Sequence, residues 1–278
     1  MSSNPEIANK IRTGSFDTNY HDMGSGNPVL MIHGSGPGVS SWANWRLVMP
    51  ELAKKFRVIA PDMVGFGYSD RPAGITYSMK GWVQQAIDLM DALKIDKADI
   101  VGNSFGGGLA LALAIRAPER VRRMVLMGSM GVSFPLPPGL DAVWGYEPSL
   151  ENMKKLLGVF AYSEELANND ELAKMRYDAS VRPGFHESFS SMFPAPRQSS
   201  VEMMASPEDK IRALPHETLI VHGREDKVIP MANATKLLDL MKNAQLHIYG
   251  KCGHWTQIEQ SDRFSRLLVD FFSEPEAG

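Results

Sequence analysis

A short pattern fixes most of what this chain can become. Gly102-Asn103-Ser104-Phe105-Gly106 sits between an apolar strand-like run, Ala98-Asp99-Ile100-Val101, and a helix-like run, Leu109-Ala110-Leu111-Ala112-Leu113-Ala114. Gly-x-Ser-x-Gly alone is short enough to arise by chance. At a strand-to-helix corner it describes a nucleophile elbow. Such a corner is tight and strained, so the serine hydroxyl stands clear of the sheet. Glycines on either side let backbone approach where a Cβ would collide. The helix that starts there turns its free N–H groups and positive dipole end toward any negative charge forming beside the serine. Ser104 is therefore the candidate nucleophile. The backbone N–H of Phe105 is a candidate donor to an oxyanion.

The flanking sequence supplies a sheet for that corner. Apolar-rich runs at Val29–Ile32, Phe56–Ala60, Met124–Met127, Thr218–Val221 and Leu246–Tyr249 predict strands. Residues 11–23 read as two shorter strands separated by a turn. Helical spacing covers Ser41–Ala53, Met79–Leu93, Ala232–Met241 and Phe264–Phe272. This alternation predicts a parallel sheet covered on both sides. From Gly131 to Pro207 it stops. Pro135, Pro137 and Pro138 open that segment, Pro194 and Pro196 close it, and helix-like runs lie near Leu150–Phe160, Glu164–Tyr177 and Phe185–Met192. The segment predicts a helical cap, dividing the chain into core residues 1–132, a cap at 133–208 and a returning core at 209–278.

Composition narrows the function classes. At 278 residues, 44% hydrophobic and 22% charged, the chain has material for a sizeable soluble core. A net charge of −3 gives no electrostatic case for nucleic acid or a membrane surface. No apolar run approaches the roughly 18 residues that a membrane span needs. Met1–Lys10 is polar, without the apolar core of a signal peptide, and the single cysteine, Cys252, allows no intrachain disulfide. A cytoplasmic location is the expectation. The 17 methionines suit adaptable core filling better than a ligand pocket. No cluster has metal-ligand spacing, so no metal or other cofactor is expected.

Ser104 needs a base. On a sheet of this kind the partners follow in the order serine, acid, histidine, each at the C-terminal end of a strand. The loops His222-Gly223-Arg224-Glu225-Asp226 and Gly250-Lys251-Cys252-Gly253-His254-Trp255 meet both conditions. His254 would take the serine proton, and an acid would fix the imidazole tautomer. By position, Glu225 and Asp226 both qualify. After the strand at Val29–Ile32, the loop His33-Gly34-Ser35-Gly36-Pro37-Gly38 can bring backbone N–H groups close to a ligand, with Ser35 the second candidate oxyanion donor.

With these residues assembled, the chain resembles the α/β-hydrolase superfamily over nearly its whole length. Within it, the chain is similar to the meta-cleavage-product hydrolases, which cut carbon–carbon bonds during bacterial aromatic degradation. The carrying segments are His33–Gly38, Asn44-Trp45-Arg46, Gly102–Gly107 and Gly253-His254-Trp255, with close matches at Trp42–Pro50, Leu140–Pro148, Ser180–Arg197 and Leu214–Ile229. It looks most like members acting on monocyclic ring-fission products. The resemblance implies an α/β fold of the α/β-hydrolase type, a mostly parallel eight-stranded sheet with helices on both faces and a helical cap. It implies a triad of Ser104, Asp226 and His254, favouring Asp226 over Glu225. Ser35 and Phe105 would form the oxyanion hole; only the N–H is needed at Ser35, where some relatives carry glycine. Arg182, in the cap, would hold the substrate carboxylate, with Gly34, Asn44 and Asn103 near the carboxylate or 2-oxo end. Trp255 would pack beside the substrate and the histidine, and Val228 near the C6 substituent. An arginine fork suits a carboxylate, although most arginines are solvated. Trp255 suits core packing equally well.

The implied reaction is hydrolysis of the C5–C6 bond of 2-hydroxy-6-oxo-2,4-dienoates, giving 2-hydroxypenta-2,4-dienoate and a small acid. The implied partner is that small-molecule dienoate, with no nucleic acid and no membrane, in a homodimer or homotetramer. A carboxylesterase with the same triad is the nearest rival, and a non-catalytic ligand receptor on the same fold is another. Dehalogenases and epoxide hydrolases carry aspartate, not serine, at the elbow.

Overall fold

A computed structural model describes residues 4–275. Strands β1 (Asn9–Thr13), β2 (Phe16–Met23), β3 (Pro28–Ile32), β4 (Arg57–Pro61), β5 (Ala98–Asn103), β6 (Val121–Met127), β7 (Glu217–Gly223) and β8 (Ala244–Tyr249) form an eight-stranded sheet. Their order is β1-β2-β4-β3-β5-β6-β7-β8. β1 with β2 and β2 with β4 pair antiparallel; the remaining neighbours are parallel. The central strands alternate between two cores, as a period of two requires. Leu30 and Ile32 of β3 face one core, Val29 and Met31 the other.

The first core holds Trp82 and Leu89 of α3 (Met79–Ala92) and Leu109 and Leu113 of α4 (Phe105–Arg116). The second holds Trp45 of α1 (Ser41–Trp45), Leu52 of α2 (Met49–Leu52) and Phe264 and Phe272 near the chain end. Each such buried side chain contributes about 1.5–3 kcal/mol. Buried methionines serve both cores, and none lines the cavity described below, in keeping with their reading as filler. The helix expected over Ser41–Ala53 is two short helices. Pro50 falls in the first turn of α2, where it lacks an N–H for the preceding turn and its ring excludes a continuous helix.

Between β6 and β7 the described residues form helices only. These are α5 (Pro138–Trp144), α6 (Leu150–Phe160), α7 (Glu164–Ala167), α8 (Asp170–Ser180), α9 (Phe185–Met192), α10 (Gln198–Met204) and α11 (Glu208–Arg212). The single run read over Glu164–Tyr177 is α7 and α8. Ser163 caps the first and Asn169 the second, each accepting a backbone N–H from inside its helix. The proline-rich opening conceals α5: Pro138 lies in its first turn, where a missing N–H costs nothing. α12 (Met231–Leu240), α13 (Thr256–Glu259) and α14 (Ser261–Ser273) complete the fold. No helix among the described residues is long and apolar enough to cross a membrane.

Candidate active site

Ser104 is the joint between β5 and α4, with φ 53° and ψ −111°. Positive φ is costly for a residue with a Cβ and is tolerated where the surroundings enforce it. Here the Ser104 N–H donates to Met127 O at 2.9 Å, and its carbonyl accepts from Met130 N at 3.0 Å, so the end of β6 grips the elbow. The glycines are sterically required. A Cβ on Gly102 would lie 2.3 Å from Gly106 O, and one on Gly106 2.2 Å from Ile32 O. Phe105 opens α4, so its N–H has no intrahelical acceptor. Its ring is fully buried below, against His33, Phe66 and Trp82.

β7 and β8 are parallel neighbours, and the loops leaving them bring Asp226 to His254. Asp226 Oδ2 lies 2.8 Å from His254 Nδ1. Asp226 Oδ1 accepts from Val228 N at 2.7 Å and Ile229 N at 2.9 Å. Burial works to raise the Asp226 carboxyl, but the His254 charge and hydrogen bond, with His222 and the Ile229 N–H, outweigh it and hold it below its ordinary value. Glu225 points elsewhere: it accepts from Cys252 N at 3.0 Å and pairs with Arg224 at 2.9 Å. Of the two acids left open by position, Asp226 is the one in contact with His254. His254 N donates to Phe160 O at 2.8 Å, and Glu259 accepts from Gly253, Tyr162 and Ser163, so the histidine loop is tied to the end of α6.

Ser104 and His254 line one cavity beneath the cap, of about 60 Å³. Among the described residues Ser104 Oγ and His254 Nε2 make no hydrogen bond; such contacts tighten when substrate binds. Gly34, Ser35, Asn44, Asn103, Val228 and Trp255 also line the cavity, as expected of binding residues. Trp255 stacks on Phe160, ring centroids 4.8 Å apart. Gly34 N donates to Asn44 Oδ1 at 3.2 Å, leaving Asn44 Nδ2 buried without a partner. Asn103 Nδ2 is likewise buried and unpartnered.

Arg182 is not among the lining residues. Its guanidinium lies 4.1 Å from the Tyr68 ring centroid and donates to Ala179 O at 3.0 Å and Gly67 O at 3.2 Å. The arginines that line the cavity are Arg46, from the turn after α1, and Arg176, from α8. Arg46 donates to Ala43 O at 2.7 Å and Arg176 to Pro37 O at 3.1 Å, and the Glu6 carboxylate acts on both charges. Burial pushes Arg176 down to about 10, still charged at neutral pH. Sequence reasoning also missed two supporting contacts. Trp144 Nε1 donates to Ser35 Oγ at 3.0 Å, fastening the cap to the glycine loop. His222, fully buried, sets Nε2 3.6 Å from Asp226 Oδ2 while donating to Ile229 O at 3.0 Å. Its place on a strand end beside the acid was visible in the sequence, but not its direction.

A cavity with a serine at an elbow, a buried acid–histidine pair and two cations can perform nucleophilic attack on a carbonyl of a small anionic molecule. Comparison with known proteins agrees. The alpha/beta hydrolase fold family matches residues 27–261. A 2-hydroxymuconate semialdehyde hydrolase of Pseudomonas sp. (strain CF600) is 62% identical over 275 residues, 99% of this chain and 97% of the relative. A 2-hydroxy-6-oxo-2,4-heptadienoate hydrolase of Pseudomonas putida is 58% identical over 270 residues, 97% of this chain and 98% of the relative. Among solved structures, a meta-cleavage product hydrolase from Pseudomonas fluorescens IP01, complexed with acetates, superposes with a TM-score of 0.96 at 59% identity, covering 97% of this chain and 98% of that one. The chain belongs to the α/β-hydrolase family and, within it, to the meta-cleavage product hydrolases.

Proposed function

We propose that this protein hydrolyses the C5–C6 bond of 2-hydroxy-6-oxo-2,4-dienoates from monocyclic aromatics, releasing 2-hydroxypenta-2,4-dienoate and a small carboxylic acid. The observation that carries this reading is the shared cavity: Ser104 and the Asp226–His254 pair on one side, Arg46, Arg176, Asn44 and Asn103 with them. A simple esterase needs the first group and not the second. The 2-hydroxymuconate semialdehyde and 2-hydroxy-6-oxo-2,4-heptadienoate hydrolases, at 62% and 58% identity, support a small C6 substituent, hydrogen or methyl.

A carbon leaving group is poor until the dienol ketonises. In the proposed sequence the O2 proton is lost and C5 gains one, with His254 as shuttle, giving a 2-oxo group conjugated to the C3–C4 double bond. Arg176 and Arg46 hold the carboxylate; charge-assisted bonds of this kind are the strong ones. Ser104, or a water it activates, attacks C6 while His254 Nε2 takes the proton. Asp226 keeps Nδ1 protonated and stabilises the imidazolium. The N–H groups of Ser35 and Phe105 stabilise the oxyanion, each worth about 3–4 kcal/mol at the transition state. The C5–C6 electron pair then flows through C4–C3 to O2, which takes the proton held by His254 and gives 2-hydroxypenta-2,4-dienoate. C6 leaves directly as the acid where water attacked, or as a Ser104 ester that a water then hydrolyses to the acid. In this reading Arg176 takes the role that the family resemblance implied for Arg182. A homodimer or homotetramer remains the expected assembly on family resemblance.

Steady-state bleaching of three yellow dienoates bearing hydrogen, methyl and phenyl at C6 tests the reading. The first two are expected to be cleaved with the higher kcat/KM. Faster turnover of p-nitrophenyl esters than of any dienoate would favour the esterase reading. Binding without hydrolysis would favour the receptor.

A further inference from the structure

Gln257 has no part in the chemistry described above, yet its side chain is 2% exposed and lines the cavity. It lies on α13, just after His254 and Trp255, and α13 packs against α1, the helix that carries Asn44. Its Oε1 is buried without a hydrogen-bond partner, and among the described residues its Nε2 makes no hydrogen bond either. A buried carboxamide ordinarily has its donors and acceptors engaged. Gln85 shows what a structural glutamine looks like in this fold. At 1% exposure, its Oε1 accepts from Val64 N at 2.8 Å, and its Nε2 donates to Thr18 Oγ1 at 2.9 Å and Asp62 O at 3.2 Å. Gln257 is as deeply buried and wholly unengaged. Asn44 Nδ2 and Asn103 Nδ2 are unpartnered on the same cavity.

We propose that Gln257 is a substrate-binding residue whose carboxamide takes the O2 group of the dienoate, beside the carboxylate held by Arg46 and Arg176. The inference rests on the dienoate reading. An amide fits this position because O2 changes character during the reaction. As a dienol it carries a proton and donates; as a 2-oxo group it only accepts. A carboxamide offers an acceptor to the first and a donor to the second, by turning about its last bond and without gaining or losing a proton. A carboxylate could serve only the first and an ammonium only the second.

Gln257→Leu and Gln257→Glu test this with 2-hydroxymuconic semialdehyde and p-nitrophenyl acetate, a neutral ester with no O2 group. In Gln257→Leu the ratio of dienoate to ester kcat/KM is expected to fall about tenfold or more, the effect of about one lost hydrogen bond. In Gln257→Glu, stopped-flow absorbance is expected to show bleaching slowed at the ketonisation phase, because the donor to the 2-oxo group is gone. Proportional losses on both substrates in both variants would overturn the inference in favour of a purely structural residue. Unchanged kcat/KM on both substrates would overturn it in favour of an amide satisfied by water. If the wild-type protein fails to bleach the dienoate at all, the functional reading is wrong and this inference falls with it. If it bleaches normally and the variants do too, only the inference falls.

Discussion

Asp226 Oδ2 and His254 Nδ1 lie 2.8 Å apart because β7 and β8 run parallel and side by side, delivering both loops to the same edge of the sheet. With the Val228 and Ile229 N–H groups on its other oxygen, Asp226 can only accept. The proton on the imidazole is thereby fixed on Nδ1, and Nε2 is left available for the base role proposed above.

Asp226→Asn removes the charge and reverses that tautomer preference, because the amide can donate. We expect kcat to fall by about three to four orders of magnitude with KM little changed. Stability should respond too. The folded protein holds Asp226 below its ordinary value of 3.8. Its contribution to folding is therefore full above the unfolded value and is lost as pH falls through the lower folded value. Thermal melts between neutral and acidic pH should show a shallower acid decline in Asp226→Asn than in wild type.

Arg176→Ala should raise KM for dienoates about tenfold to a hundredfold, the scale of one charge-assisted hydrogen bond lost. A neutral p-nitrophenyl ester should be largely unaffected. Arg182→Ala should leave the dienoate KM near wild type and lower the melting temperature, since that guanidinium spans Tyr68, Ala179 and Gly67. The reverse pattern would return the carboxylate to Arg182.

Gly106→Ala should disable the elbow. The new Cβ would sit 2.2 Å from Ile32 O, a backbone atom that cannot step aside. Overpacking at this level implies a fall in melting temperature of about 5 °C or more, or loss of folding. Gly158→Ala is the control. Gly158 lies within α6 with nothing within 4 Å of a new Cβ, so the change should stabilise by about 0.5–1 kcal/mol. Differential scanning calorimetry of the two variants checks both.

The candidate constellation was legible because each member is tied to a local signal. Ser104 sits in a glycine pattern at a strand-to-helix corner, and Asp226 and His254 follow strand ends. The sheet was legible because two-faced burial leaves continuous apolar runs such as Val29–Ile32. Which arginines line the cavity was not. Arg176 lies within α8, whereas Arg182 lies two residues beyond its last residue, Ser180. Which of them faces the cavity depends on how α8 docks on the core. Gly38 shows how tightly it docks: a Cβ there would lie 2.8 Å from Arg176 O. That is a tertiary fact with no local signature. The engagement of Gln85 and the isolation of Gln257 are hidden for the same reason, since both are glutamines in apolar helical surroundings and differ only in what lies across from them.

The most direct test of the central claim is to mix Ser104→Ala rapidly with 2-hydroxymuconic semialdehyde and follow visible absorbance while assaying formate. The account predicts a prompt spectral change on binding at near wild-type affinity, then a persistent signal with no formate and no 2-hydroxypenta-2,4-dienoate. Stoichiometric formate released by that variant at the wild-type rate would contradict it.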